Sequence, residues 1–216
     1  MEENQYNTEE LKQGAKDAFN DTKEALKNID FKAEAKATEG FLKEFLKNPF
    51  NGVIQAVRTK GNDLTLALML NLIWLLTVGV IQLQNFIRWN HIGFLSVIQA
   101  AIAPLVGVIV MAILILAVNK NKNKNLTDVI SVVTITRIPR IFAAVISLTT
   151  MLSVEAFRIT VPITAFASGL SIVLLYVAMR EMSTEAEESK LFMIFAKAYA
   201  LYFVARFALS FVGITI

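Results

Sequence analysis

Four polar side chains near the end of the chain, Tyr199, Tyr202, Arg206 and Ser210, are the first candidates for chemistry. They are three or four residues apart, so a helix carries them on one face. Their surroundings are apolar from Leu191 to Ile216, and Arg206 therefore takes a full charge into a segment suited to lipid. A cation so placed faces protein or a wet cavity, and it is a functional hypothesis by default. Two readings of Arg206 stay open. In one it is structural, bonded to carbonyls or to an amide such as Asn71 of an earlier apolar segment. In the other it contacts a substrate or an ion.

Other chemistry is scarce. Glu155 and Arg158 form an i, i+3 pair if helical and are otherwise interface groups. No second acid lies within an apolar segment, so a proton relay of paired carboxylates lacks its parts. The single histidine, His91, stands beside Trp89 and reads as an interfacial anchor. There is no cysteine, which excludes disulfides, thiolate metal sites and cysteine nucleophiles. HExxH, GxSxG and phosphate-cradling glycine loops are all missing. No catalytic, cofactor-binding or metal residue is expected, and the chain reads as non-enzymatic.

The elements that must position these residues follow from composition. Of 216 residues, 55% are hydrophobic and 18% charged, against roughly 45–50% and about 25% in soluble domains. The charges are uneven. Residues 1–63 hold ten of the 21 Lys+Arg and twelve of the 18 Asp+Glu. The basic groups beyond them sit mostly in loops, so no nucleic-acid face is expected. Nothing apolar precedes Phe41, so a cleavable signal peptide is not expected and the first long apolar segment serves for insertion.

A crossing needs roughly 20 apolar residues. Five segments are expected to cross: Leu64–Phe86, Ile92–Val118, the Ile138–Val154 region, Ile159–Met179 and Leu191–Ile216. The fold class is all-α, a polytopic membrane bundle preceded by amphipathic helices. Three parts are expected: a charged cytoplasmic arm (1–39), an interfacial pre-membrane helix (40–63) and a five-helix transmembrane domain (64–216). Lys120, Lys122 and Lys124, Arg137, Arg140, Arg180, Lys190 and Lys197 fall on the side of Lys47, Arg58 and Lys60. Arg88 and Arg158 alone mark the other. The rule that basic loops stay inside puts the N-terminus in the cytoplasm and the C-terminus outside, in a bacterial plasma membrane.

The third segment is irregular. Thr127 and Asp128 are expected to cap a helix beginning at Val129. A direct crossing would bring Arg137 and Arg140 near mid-membrane, at about 2.5–3.5 kcal/mol each on insertion scales. Pro139 would also break the helix. The preferred reading lays Val129–Thr136 along the cytoplasmic interface, breaks the chain at Arg137–Pro139, and lets both arginines reach phosphate headgroups. Pro104 with Gly107, and Pro162 with Gly169, are compatible with kinks or close packing.

Residues 8–30 read as an alanine-rich amphipathic helix, either solvated or docking a partner. Phe41–Val57 is more apolar and broken at Asn48-Pro49, either interfacial or packed on the bundle end. Lys43 and Lys47, with the loop lysines 120, 122 and 124, are expected to meet anionic headgroups. The partners anticipated are thus membrane lipids and a protein bound through residues 8–57, with no nucleic acid.

The segment Leu46-Lys47-Asn48-Pro49-Phe50, the stretch Asn125–Leu152 and the loop Ser183–Lys197 before a last apolar helix resemble the Ypt-interacting-protein (Yip) domain family. The resemblance covers residues 46–216 and implies five spans with a cytoplasmic N-terminus. Eukaryotic members are linked to Rab-type GTPases and vesicle traffic. The short arm here is unlike their longer N-terminal regions, so GTPase binding is not carried over, and the family supplies no catalytic residues. The expected activity is that of a membrane scaffold or adaptor. The alternatives are a small transporter or channel using the Arg206 face and, more remotely, a lipid-modifying enzyme.

Overall fold

The computed structural model describes residues 30–58, 64–89, 93–119, 125–151 and 155–211 except 184 and 186, with scattered positions between 13 and 23. Among the described residues the fold is entirely helical. The helices are α1 (Phe31–Lys47), α2 (Pro49–Arg58), α3 (Leu64–Trp89), α4 (Phe94–Asn119), α5 (Leu126–Thr136), α6 (Ile138–Ser147), α7 (Glu155–Met182) and α8 (Glu188–Phe211). A 3-10 turn, Leu148–Met151, follows α6.

Four helices, α3, α4, α7 and α8, are long and apolar enough to cross a membrane. Their surfaces are inverted relative to a soluble protein. Leu72, Leu76, Val80, Leu83 and Ile87 repeat every three or four residues along α3, and all are exposed. An exposed apolar stripe of this length is a surface made for lipid. The pair α5–α6 passes the same test together, bent by 48° at its break. Among the described residues the count of helices that can span is therefore four, or five with the bent pair as one.

The first two helices are set by local chemistry. Asp30 caps α1, its carboxylate accepting from the N–H groups of Lys32 and Ala33. The helix runs unbroken through Gly40, so the boundary expected at 39/40 falls inside one element. It stops at Asn48, because the residue before a proline is turned from helical geometry. The Asn48 side chain then accepts from Asn51 N–H at 3.1 Å and opens α2 at Pro49. Asn48-Pro49 is thus the corner of a helical hairpin.

That hairpin is packed into the bundle, the second of the two arrangements the sequence left open. Phe45, Val53, Ala56 and Val57 are buried in the same core as Leu70 of α3, Met111 of α4 and Met179 of α7. Lys43 and Lys47 stay exposed, paired with Glu39 at 2.6 Å and Glu44 at 2.7 Å. The Lys43 hydrogen bond, and then its charge, hold the Glu39 carboxyl below the usual range. Of the expected helix at 8–30, positions 13, 16, 17, 19, 20 and 23 are helical and exposed, Asp30 is the non-helical cap of α1, and the rest lies outside the described residues.

The largest departure from expectation is α5. It starts at Leu126, with Asn125 as N-cap and the Asp128 side chain reaching back to the Asn125 N–H, one turn earlier than foreseen. It does not lie along an interface. Every residue from Ser131 to Pro139 is buried, and α5 packs against α2, α3, α4 and α7. A helix with no charged side chain after Asp128 and neighbours on several sides belongs inside a bundle. Its hydroxyls accommodate this by donating backwards, Thr134 to Ile130 O and Thr136 to Val133 O.

Two glycines test the hairpin. A Cβ on Gly52 would stand 2.7 Å from the buried Phe45 ring, whereas one on Gly40 meets nothing. Gly52→Ala is expected to destabilise the fold by about 1–3 kcal/mol through overpacking. Gly40→Ala should be neutral or stabilise by up to about 1 kcal/mol, from helix propensity. Thermal unfolding in uncharged detergent checks both, and equal effects of the two would contradict this packing.

Candidate functional site

The break between α5 and α6 turns one arginine inward. Arg137 takes φ −91° and ψ 0°, at the edge of the right-handed helical region. Pro139, in the first turn of α6, has no N–H to leave unpaired there. The side chain of Arg137 is 7% exposed. Its Nη1 donates to Pro104 O at 3.0 Å and its Nη2 to Gly107 O at 3.1 Å, both on α4. The guanidinium also stands 5.9 Å from the centre of the Trp74 ring of α3.

Gly107 makes this approach possible. A Cβ there would lie 3.1 Å from Tyr202 Oη and 3.4 Å from Arg137 Nη1. A bare backbone lets both polar groups reach the helix surface. Pro104 lies ten residues from the start of α4 and Gly107 twelve from its end, some 15–18 Å either way at 1.5 Å per residue. The cation is thus held near mid-height of α4. Two charge-assisted bonds of about 1.5–3 kcal/mol each, with a cation–π contact of about 0.5–2 kcal/mol, are large enough to offset an insertion cost of about 2.5–3.5 kcal/mol.

Arg137 is therefore held inside the bundle by the α4 carbonyls, where the sequence suggested an arginine extended to the cytoplasmic headgroups. Arg140 is only half-buried, yet its Nε is buried and has no protein partner. Beside the two arginines lies a void of about 20 Å³, room for one water-sized group. Ser171 lines it as well, and its buried Oγ is also without a protein partner.

A larger cavity of about 350 Å³ adjoins Arg137. Trp74 and Gln82 of α3, Ala100, Ala103, Pro104 and Gly107 of α4, Arg137, Arg140, Tyr202 and Arg206 line it. Gln82, Ala100 and Arg206 are each within about 8–10 Å of the helix end away from α2, at 1.5 Å per residue. The cavity consequently rises from the buried Arg137 towards the exposed Arg206. Three cations and no carboxylate are among its described lining residues.

The candidates read from sequence are thus divided. Tyr202 and Arg206 share the cavity. Tyr199 borders only the small void, its ring 6.2 Å from that of Tyr202. Ser210 is exposed and donates to Phe207 O at 2.6 Å. Asn71 does not partner Arg206; its amide donates to Ala67 O at 2.9 Å and to Thr134 Oγ1 at 3.0 Å, tying α3 to α5. Lys120, Lys122 and Lys124, and His91, lie outside the described residues. Trp74, Gln82 and Gly107 were not anticipated as site residues. The signal for Gly107 was its place one turn after Pro104, within a helix facing an arginine that needed carbonyls.

No family model, curated protein or solved structure matches this chain. The site has to be read from its own geometry.

Gly107→Leu should drive a side chain into Tyr202 and Arg137 and cost about 1–3 kcal/mol. Gly79→Ala, also within a long helix but with open space around its Cβ, is the control. A Gly107→Leu protein as thermostable as the Gly79→Ala protein would contradict the close approach described.

Proposed function

We propose that this chain is a non-enzymatic, multi-pass integral membrane protein with five crossings that acts as a membrane scaffold or adaptor, as the Yip-like segments imply. The observation that carries the reading is the α1–α2 hairpin. Its inner face is fixed in the bundle core by Phe45, Val53 and Val57, while Lys43, Leu46, Lys47 and Phe50 remain exposed on its outer face. Such a surface is rigidly tied to the bilayer-embedded helices. Its mixture of lysine and large apolar groups suits anionic lipid or an amphipathic partner.

Five crossings are supported by two ion pairs. Arg58, at the end of α2, lies 3.3 Å from Glu181 at the end of α7, and Arg180 lies 3.3 Å from Glu188 at the start of α8. The chain enters α3 and leaves α7 at one end of the bundle. Between those points the chain must cross an even number of times, and α3, α4 and α7 alone make three. With α5–α6 as a crossing the count closes. The basic ends then share the cytoplasmic side, with the N-terminus inside and the C-terminus outside, in a bacterial plasma membrane.

A second reading, a small transporter or channel, is favoured by the cavity between Arg137 and Arg206. The two make opposite predictions. Under the scaffold reading, replacing Leu46 and Phe50 with serine and Lys43 and Lys47 with glutamine should release co-purifying proteins or lipids, and Arg206→Leu should change no flux in proteoliposomes. Flux lost in a folded Arg206→Leu protein would overturn it. The crossing number has a separate measurement: a C-terminal reporter active only in the cytoplasm should stay dark, and a bright one rules out five.

A further inference from the structure

The geometry points to a binding site for a phosphate-type oxyanion in the cavity between Arg137 and Arg206. Arg137, Arg140 and Arg206 line one space of about 350 Å³, and the described lining offers no carboxylate to balance them. Like charges in a low-dielectric cleft repel, and an anion placed among them turns that repulsion into attraction. The arrangement is also built rather than incidental. Arg137 is buried, with two of its N–H groups committed to Pro104 O and Gly107 O. Those bonds fix the plane of the guanidinium, Tyr202 is hydrogen-bonded to it as well, and only the donors that remain are left for a ligand. Arg140 adds a buried Nε with no protein partner.

The chemistry of the donors selects the class. A guanidinium is a planar fork that matches two oxygens of one anion, and arginines in place of lysines favour phosphate or carboxylate over a halide. Several arginines around one space suit a tetrahedral anion, whose oxygens point in different directions. Gln82 supplies a neutral amide, while Trp74 and Tyr202 wall the cavity with rings. Arg206 is exposed and Arg137 is buried, so the anion enters from the Arg206 side and ends against Arg137. The phosphodiester of a lipid headgroup and free phosphate present the same oxygens. None of the described lining residues belongs to the α1–α2 hairpin, and the site stands or falls independently of the scaffold reading.

The full chain carries its own reporter, because the Trp74 ring lies 5.9 Å from the Arg137 guanidinium. A Trp89→Phe background leaves Trp74 as the only tryptophan. Its fluorescence is followed while inorganic phosphate is added to protein in uncharged-detergent micelles. In parallel, phosphatidylglycerol is increased in phosphatidylcholine nanodiscs, and sodium chloride at matched ionic strength serves as control. A saturable change is expected with a phosphate probe and not with chloride. The apparent affinity should fall about tenfold or more in Arg206→Gln and in Arg140→Gln, as expected for losing a charge-assisted bond, and should be largely kept in Arg206→Lys. Saturation by inorganic phosphate identifies a soluble ligand, and saturation by phosphatidylglycerol alone identifies a lipid; either supports the site. Absence of a saturable change with both probes in the parent protein overturns it, as does an unchanged response in both glutamine variants. Because Arg206 is exposed, its glutamine variant removes charge without opening the core.

Discussion

The bond from a buried guanidinium to the carbonyls of a neighbouring helix is the constraint around which this bundle is arranged. An arginine at mid-height of an apolar bundle needs acceptors, and no described carboxylate supplies them. Backbone oxygens can, provided that nothing covers them. That requirement places Pro104 and Gly107 on the face of α4 turned to Arg137. It also explains the break at Arg137, since a continuous helix from Leu126 to Ser147 would not carry the 48° turn seen there. The second half of the short helix before the break is then enclosed, with the Thr134 and Thr136 hydroxyls satisfied by its own backbone.

The same economy of polar groups holds elsewhere. Thr77 donates to Ile73 O, Ser147 to Ala143 O and Thr164 to Thr160 O, each one turn back. Such hydroxyls add little polarity to a helix in an apolar medium, because the acceptor is already at hand. Asn71 is different, since it joins two helices through Thr134. Apart from Asn71 and the unpartnered Thr38, the buried polar side chains named here close on their own helix or gather around Arg137. That concentration makes the arginine cavity a place where the bundle tolerates charge, while its outer faces remain apolar.

The long helices were legible because length and apolarity are one-dimensional properties. Leu64–Phe86 and Ile92–Val118 became α3 and α4 with ends shifted by a few residues. The break near Pro139 was legible too, since proline acts on its own neighbours. The destination of α5 was not. An apolar run of eleven residues reads alike whether it lies on a membrane surface or inside a bundle, and only its partners decide. Its lack of a charged face after Asp128 was the available hint. Likewise Arg206 and Arg137 are both cations within apolar sequence, and spacing drew attention to the tyrosine stripe of Arg206. Burial instead went to Arg137, because its acceptors lie thirty residues earlier, beyond the reach of any local pattern.

That separation along the chain has a direction. Trp74, Pro104 and Gly107 all precede Arg137, whereas Tyr202 and Arg206 follow it. As the polypeptide is made, the carbonyls that receive the guanidinium emerge before the guanidinium itself. The arginine thus has a harbour ready when it arrives, and the last helix closes a pocket whose floor has already been laid.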